Sequence, residues 1–474
     1  MSVELKIRPL SCAEIEEAVG AKRIKSASHT RPIRYISTDS RDVGEDILFF
    51  AIRGERFDGH AFAASAIRGG ASCLICSTVP ADVLALDCTV LLVEDTVLAL
   101  GALAAYYRSL SSARIIAVTG SVGKTTTKEF IYSVLSEAMK THKTEGNFNN
   151  HIGLPLTLFA LSLDDRAAVL EMGMSARGEI SYLSRLARPD IAVITNIGTS
   201  HLEHLGTREN IAAAKMEILD GLSPDGTLLI NGDEPLLREA KERFQRVKTV
   251  SRGNVGADFC AVNEALPEGS LQYDLQYDGK LVKSLALPVP GAHNIYNSMV
   301  AYAIGRLLGM EEDDIRRGLL NFRGAAMRQN IYDRNGIRII EDCYNASPES
   351  MRASLDVLTA MARKGEGRYA ALLGDMLELG ENSSVYHENV GRYAAERGVQ
   401  LLFAYGERAE DIARGARLGG MEEDAIYIQK DKNNPRAMAE ILCRVLEEND
   451  ILLVKASRGV AAEKVIASIK ERKE

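Results

Sequence analysis

Val118-Thr-Gly-Ser-Val-Gly-Lys-Thr125 decides the fold. It follows the apolar run Ile115–Val118 and precedes a stretch from Thr126 to Met139 with the pattern of a helix. Strand, glycine-containing turn, lysine, hydroxyl and helix in that order make a phosphate-binding loop. Gly120 and Gly123 let the main chain approach phosphate oxygens, and the loop amides and helix N-terminus face the anion. Lys124 adds a fixed positive charge, and the Thr125 hydroxyl is placed to reach Mg²⁺. The standard form of the loop asks for glycine at position 118, where this chain has Val118. Such a loop specifies nucleotide phosphate and no particular reaction. The guanine-reading NKxD string is absent from the sequence.

Working outward, short β-rich runs alternate with helical stretches on both sides of the loop. Ile47–Ile52, Cys73–Cys76 and Thr89–Val93 read as strands before it, with a helix over Asp95–Ser109 and a joint at Ser111-Ser112. Ile115–Val118, Ala167–Leu170, Ile191–Thr195 and Leu228–Ile230 read as strands of one parallel sheet. Lys248–Pro290 alternates instead and turns at Asp278-Gly279, as an antiparallel hairpin does. A second strand–helix series follows Asn321, with strands at Ile337–Ile340, Ala370–Leu373, Leu401–Ala404, Ala425–Ile428 and Ile451–Val454. The expected fold class is α/β in three domains: a small N-terminal α/β domain over 1–95, a central P-loop parallel-sheet ATPase domain over 96–322 and a C-terminal Rossmann-like domain over 323–474.

Bulk properties narrow the class. The chain has 474 residues, 46% hydrophobic and 26% charged, as in globular proteins, with a net charge of −8 that argues against general nucleic-acid binding. The charged start Met1-Ser-Val-Glu-Leu-Lys predicts no signal peptide, and no apolar run reaches the length of a membrane span. Seven scattered cysteines suit reduced thiols, and the Cys73–Cys76 pair in its apolar run reads as core. A cytoplasmic, monomeric protein is the expectation.

Several polar residues fall just past strand ends. Glu171 ends one apolar run and could supply a metal oxygen. His201 and His204 lie in the loop after Ile194, where His201 reads as a metal-shell candidate or as an ordinary loop residue. Ile211, Lys215, Ile218 and Leu222 share one helical face, so Lys215 lies on an apolar stripe, either buried or reaching to its edge. Asn294 and Asn297 precede an apolar helix and could read a base edge or cap the helix. Arg328 stands near the start of the last domain. Asp342 and Asn345 lie in a loop ended by Pro348, and Lys455, Ser457 and Arg458 end the last strand.

These segments together resemble the Mur ligases, the ATP-dependent amide-forming enzymes of peptidoglycan and cell-wall synthesis. Thr119-Gly-Ser-Val-Gly-Lys-Thr-Thr126 looks like the family's loop, which lacks the first glycine and so accounts for Val118. Glu171, His201, Lys215, Asn297, Arg328 and Asp342 match the family's recurring site residues in order. Thr38-Asp-Ser-Arg41 with Phe57-Asp-Gly-His60, Glu145–Pro155, Asp342–Pro348 and Gly374–Gly380 are similar to the branch that joins D-alanyl-D-alanine to UDP-N-acetylmuramoyl-tripeptide through an acyl phosphate.

The resemblance implies ATP and two Mg²⁺ as cofactors, with nucleotide contacts from Gly120, Ser121, Gly123, Lys124, Thr125, Thr126, Asn297, Arg328 and Asp342. It implies Thr125, Glu171, His201 and a carbamoylated Lys215 around metal, with Lys124, Lys215 and His201 catalytic. Ser40, Arg41, Asp58 and His60 would hold the UDP portion, and Asn149 and Asn150 the adjoining pyrophosphate or sugar. Asn345, Lys455, Ser457 and Arg458 would meet the dipeptide. Three alternatives stand beside this: a sister ligase adding a diamino acid, a folylpolyglutamate-synthetase-like ligase, and a non-catalytic nucleotide switch. The sister's DNPR string is absent; Asn433-Asn-Pro-Arg436 is nearest and reads as a helix start with proline near the first turn.

Overall fold

The protein is described from a computed structural model covering residues 2–29, 31–54, 57–238, 240, 244–266, 270–361 and 367–469. Three sheets follow one another along the chain. The first comprises β1 (Ser2–Glu4), β2 (Lys22–Lys25), β3 (Tyr35–Ser37), β4 (Ile47–Phe50), β5 (Cys73–Cys76) and β6 (Thr89–Leu92), in the order β1-β3-β4-β5-β6-β2. Its strands β3 to β6 are parallel, and the edge strands β1 and β2 run antiparallel to them. Every residue of β4 and β5 is buried, which is why both read as unbroken apolar runs.

The second sheet comprises β7 (Arg114–Thr119), β8 (Thr141–Lys143), β9 (Ala167–Glu171), β10 (Ile191–Ile194), β11 (Thr227–Asn231), β12 (Val247–Arg252), β13 (Phe259–Ala265), β14 (Leu271–Tyr277) and β15 (Lys280–Leu287). Their order is β15-β14-β13-β12-β11-β10-β7-β9-β8. The expected hairpin is β14–β15, closed by Asp278 at φ 47° and Gly279 at φ 71°, the left-handed pair a two-residue turn requires.

The third sheet comprises β16 (Asn330–Arg334), β17 (Ile337–Glu341), β18 (Tyr369–Gly374), β19 (Leu401–Tyr405), β20 (Ile426–Gln429) and β21 (Ile451–Lys455), in the order β16-β17-β21-β18-β19-β20. All pairs but β16–β17 are parallel. Apolar side chains cover both faces: Met351, Val390 and Ile412 pack on one, Met438, Leu442 and Val465 on the other. Parallel strands deliver their following loops to one edge. The segments after β17, β18 and β21, at 342–348, 375–380 and 456–459, therefore share the carboxyl edge of this sheet.

By contacts the chain falls into two compact units, residues 1–119, 138–192 and 217–228, and residues 120–137, 193–216 and 229–474. Five strands were not expected: β1, β2 and β3 of the first sheet, β8, and β16 on the antiparallel edge of the third sheet. The expected stripe through Leu222 is corrected. The α-helix stops at Met216, a 3₁₀ turn occupies Glu217–Gly221, and Leu222 lies beyond it. Cys73 and Cys76 are buried free thiols. Among the described residues no helix is long and apolar enough to cross a membrane.

Candidate functional site

The phosphate loop lies in the second unit and is clamped from the segment that leaves β10. Ser121 N–H donates to the Asn196 carbonyl at 3.1 Å, and Val122 N–H donates to Asn196 Oδ1 at 2.9 Å. Thr195 Oγ1 donates to the Val122 carbonyl at 2.7 Å. Gly120 has no alternative here, because a Cβ on it would stand 1.9 Å from Thr195 Oγ1. Gly123, at φ 84°, begins the helix Lys124–Leu135. Lys124 Nζ donates to the Gly120 carbonyl at 2.7 Å, folding the ammonium back over the loop. Ser121 Oγ is buried with no hydrogen-bond partner among the described residues, as expected of a donor waiting for an anion.

Asn294 and Asn297 do something the sequence left open. Neither caps the helix His293–Leu307. Asn294 donates to the Pro290 carbonyl at 2.7 Å, Asn297 donates to Asn294 Oδ1 at 3.0 Å, and Thr127 Oγ1 donates to Asn297 Oδ1 at 2.9 Å. This relay of amides braces the phosphate-loop helix from behind.

Lys215, near the end of the helix Arg208–Met216, is 1% exposed. Among the described residues no carboxylate pairs with it. Burial, and then the charge of Lys124, push its ammonium well below the ordinary lysine range. His201 adopts φ 65°, and its Nδ1 lies 2.6 Å from Glu378 Oε2, off the line of a hydrogen bond. Glu378 belongs to the third sheet's loop after β18, and the contact with His201 holds its carboxyl below the usual range. A second carboxylate from the same part of the chain, Glu349, accepts from Thr199 N–H at 3.0 Å and Thr199 Oγ1 at 3.2 Å.

Arg328 sits between two residues with left-handed backbones, Met327 at φ 56° and Gln329 at φ 54°, and its guanidinium lies 4.5 Å from the centre of the Tyr344 ring. A cavity of about 730 Å³ opens here, lined by Gly123 and Lys124 together with Arg328, Asp342 and Asn345. His293 also lines it and is pushed down to about 4 by burial. Asp342 is buried beside Lys455, whose Nζ lies 2.7 Å from Oδ2. Lys455 and Ser457, expected to meet the dipeptide, both have protein partners here. Lys455 is held by Asp342, while buried Ser457 accepts from Leu377 N–H at 3.0 Å and donates to the Ala346 carbonyl at 3.4 Å. Arg458 stays exposed beside Tyr344, and Asn345 lines the cavity.

The first unit carries the remaining candidates. Ser40 and Arg41 follow β3, and Asp58 and His60 follow its parallel neighbour β4, so both loops leave one sheet edge. Arg41 forks onto Asp39, with Nε–H and Nη2–H donating to its two oxygens at 2.9 and 2.7 Å, and its side chain remains 88% exposed. Both His60 ring nitrogens have protein partners: Nδ1 pairs with Asp58 at 2.7 Å and Nε2 accepts from Ser77 N–H at 2.9 Å. Asn149 donates to Glu171 Oε1 at 2.9 Å, so its amide orients that carboxylate. Asn150 Oδ1 accepts from the amides of Ile152 and Gly153 at the start of the helix Gly153–Phe159.

With these positions known, comparison with characterised proteins is informative. The Mur ligase middle-domain profile matches residues 118–305, the Mur ligase glutamate ligase domain residues 327–458, and the Mur ligase family catalytic domain residues 32–108. The chain belongs to the Mur ligase family. A Bacillus subtilis UDP-N-acetylmuramoyl-tripeptide–D-alanyl-D-alanine ligase is 40% identical over 445 residues, covering 93% of each chain. MurF from Acinetobacter baumannii superposes with a TM-score of 0.88 at 32% identity, over 98% of this chain and 99% of that one. MurF from Thermotoga maritima, solved with ADP, superposes at 0.80 with 32% identity, over 92% of this chain and 96% of that one.

Seen as a Mur ligase, the chain uses residues that its sequence did not single out. Thr195 and Asn196 clamp the phosphate loop, Tyr344 carries Arg328, and Glu378 meets His201. Tyr344 and Glu378 stand in the quoted stretches Asp342–Pro348 and Gly374–Gly380, but their pairing needs the tertiary fold. Among the described residues no cluster of three or more His, Cys, Asp or Glu could hold a metal. The Mur ligase metal set named above draws on Thr125 and Lys215 as well, and the buried, unpaired Lys215 amine fits that role.

Proposed function

We propose that this chain is an ATP-dependent amide ligase that joins D-alanyl-D-alanine to UDP-N-acetylmuramoyl-tripeptide, releasing ADP and phosphate. The observation that carries the reading is the cavity in which Lys124 of the phosphate loop and Arg328, Asp342 and Asn345 line one space. A nucleotide seated there would have its phosphates at the loop and its remainder against the later residues. The ADP of the Thermotoga relative and the substrate names of the Bacillus relative support the assignment.

A peptide carboxylate is a poor acyl donor because its oxygen leaves badly. Phosphorylation by ATP makes phosphate the leaving group, and the dipeptide amine then displaces it to form the amide. The first step brings two anions together. Lys124 and the loop amides offset that repulsion, as they would the charge of the transition state. Thr125, His201 and carbamoylated Lys215 would hold Mg²⁺, with Glu171 carried over from the family pattern. The metal, when bound, supplies further charge neutralisation at the transferring phosphate. The first sheet's loops, with Arg41 exposed, would take the UDP portion. The third sheet's carboxyl edge would present the acceptor and close out water.

The deciding experiment is phosphate release from the purified chain with a panel of acceptors. Release that needs both UDP-N-acetylmuramoyl-tripeptide and D-alanyl-D-alanine is the expected outcome. Faster release with lysine or diaminopimelate alone would assign the sister reaction. Release with folate and glutamate would assign the other ligase class, and nucleotide binding without release a switch. Asn434 caps the helix Pro435–Val445 through its side chain, and Pro435 is its first residue, so this string is a helix start.

A further inference from the structure

We propose that Glu378 binds the positively charged amino group of the acceptor and holds its nitrogen beside His201. The inference rests on the amide-ligase reading above and names a group that reading leaves unassigned.

Position comes first. His201 stands on the segment that clamps the phosphate loop, next to Ser200, whose hydroxyl donates to the Ser121 carbonyl at 3.5 Å. The acyl phosphate must form near that loop, because the loop holds the phosphate that is transferred. Glu378 reaches this place from the loop after β18. Its carbonyl accepts from Glu203 N–H at 3.3 Å, so the main chain is docked there as well.

Rigidity comes second. The loop bearing Glu378 is pinned where it leaves β18: Met376 N–H donates to His387 Nε2 at 2.9 Å, and Leu377 N–H donates to Ser457 Oγ at 3.0 Å. His387 is itself buried and donates through Nδ1 to the Ser383 carbonyl at 2.7 Å. Glu378 has φ 63° and His201 has φ 65°, so two non-glycine residues with left-handed backbones meet across the contact. Such conformations cost free energy and persist where the surroundings over-determine them.

Charge decides the ligand. A carboxylate beside a site for phosphate and a donor carboxylate is repelled unless a cation lies between them. The neighbouring acids of the third sheet are already engaged: Asp342 with Lys455, Asp375 with the amides of Glu407 and Arg408, and Glu349 with Thr199. The Glu378 side chain stays 47% exposed and uses Oε2 towards His201, and a carboxylate has acceptor capacity for more donors than one. An ammonium group is the cation an amide ligase must bring to this spot. Held there and relieved of one proton to solvent, the amine would attack the acyl carbon, the new N–C bond forming as the bond to phosphate breaks.

The test compares the two half-reactions in Glu378→Gln. Hydroxylamine is uncharged at neutral pH and traps an acyl phosphate without needing an ammonium site. With ATP and UDP-N-acetylmuramoyl-tripeptide, the variant should form hydroxamate at the wild-type rate. With D-alanyl-D-alanine its acceptor KM should rise roughly 10- to 100-fold, the loss of a charge-assisted hydrogen bond, and Glu378→Asp should recover part of it. An unchanged acceptor KM overturns the proposal. An equal loss in both assays overturns it in favour of a docking role for the Glu378–His201 contact, and a raised Mg²⁺ requirement overturns it in favour of a metal ligand. Wild-type protein that makes neither amide nor hydroxamate overturns the ligase reading itself.

Discussion

Lys455 and Asp342 form a buried ion pair in which Nζ lies 2.7 Å from Oδ2, the lysine is 2% exposed, and the Ser354 hydroxyl donates to the same oxygen at 2.5 Å. The pair joins the ends of β17 and β21, the neighbouring strands whose loops build the third sheet's part of the cavity. Removing one partner leaves the other charge buried and uncompensated, which costs about 3–5 kcal/mol. Lys455→Met should therefore lower the urea midpoint sharply, and Lys455→Met with Asp342→Asn should recover much of the loss. A double variant no more stable than the single one would show that the pair does not act as a unit.

Lys215→Ala should be nearly inactive with its fold intact, since the mutation removes an unpaired buried amine. Acetate or formate should restore part of the activity by supplying the missing carboxylate, and mass spectrometry of native protein under CO₂ should show the added mass on Lys215. Full turnover of Lys215→Ala without added acid would remove it from the site.

His293 gives the protein a defined acid sensitivity. Its pKa falls from 6.5 to about 4, chiefly through burial; Lys455 and Arg252 add to this, while Asp342 and Gln329 oppose it. Between those two values the unfolded chain carries the proton and the folded chain does not, so stability rises with pH across the window and is lost as acid lowers it. Because the ring borders the cavity, water screens it, and the swing should be on the order of 1–2 kcal/mol. Urea midpoints measured across that window should fall less steeply in His293→Gln than in the parent protein.

Arg41→Ala should raise the KM for the UDP substrate about tenfold, the value of one charge-assisted hydrogen bond, and leave that for ATP unchanged. The Arg41 fork on Asp39 holds that carboxyl well below its ordinary range, so the guanidinium is pre-oriented with most of its surface open. Equal effects on both substrates would mean that the loop matters only for folding.

Much of this was readable because buried parallel strands write themselves as apolar runs. β4, β5, β9 and β17 to β21 lie where Ile47, Cys73, Ala167, Ile337 and their successors indicate. Edge strands do not write themselves that way, which is why β1, β2, β8 and β16 escaped, and β3 is only three residues long. Site residues chosen by spacing, such as Lys124 and Lys215, are where the pattern placed them. Residues chosen for polarity alone have partners that spacing does not reveal: His60, Asn150 and Ser457 are held by hydrogen bonds to main-chain amides or neighbouring side chains. A polar side chain after a strand can face a ligand or fasten its own loop, and only the three-dimensional neighbours distinguish the two.

Phe130, in the helix that begins at the phosphate loop, stacks on Phe322 with ring centres 3.6 Å apart and planes 4° from parallel. Phe322 is the last residue before the segment 323–329, in which Gly324, Met327 and Gln329 all have left-handed backbones. The stack thus gives the segment 323–329 a fixed root on the phosphate-loop helix. A chimaera that exchanges the last third of the chain with a relative's should be cut after this ring, so that the incoming segment inherits a correctly anchored pivot; a cut before it would separate the two stacked rings and loosen the phosphate-loop helix along with the graft.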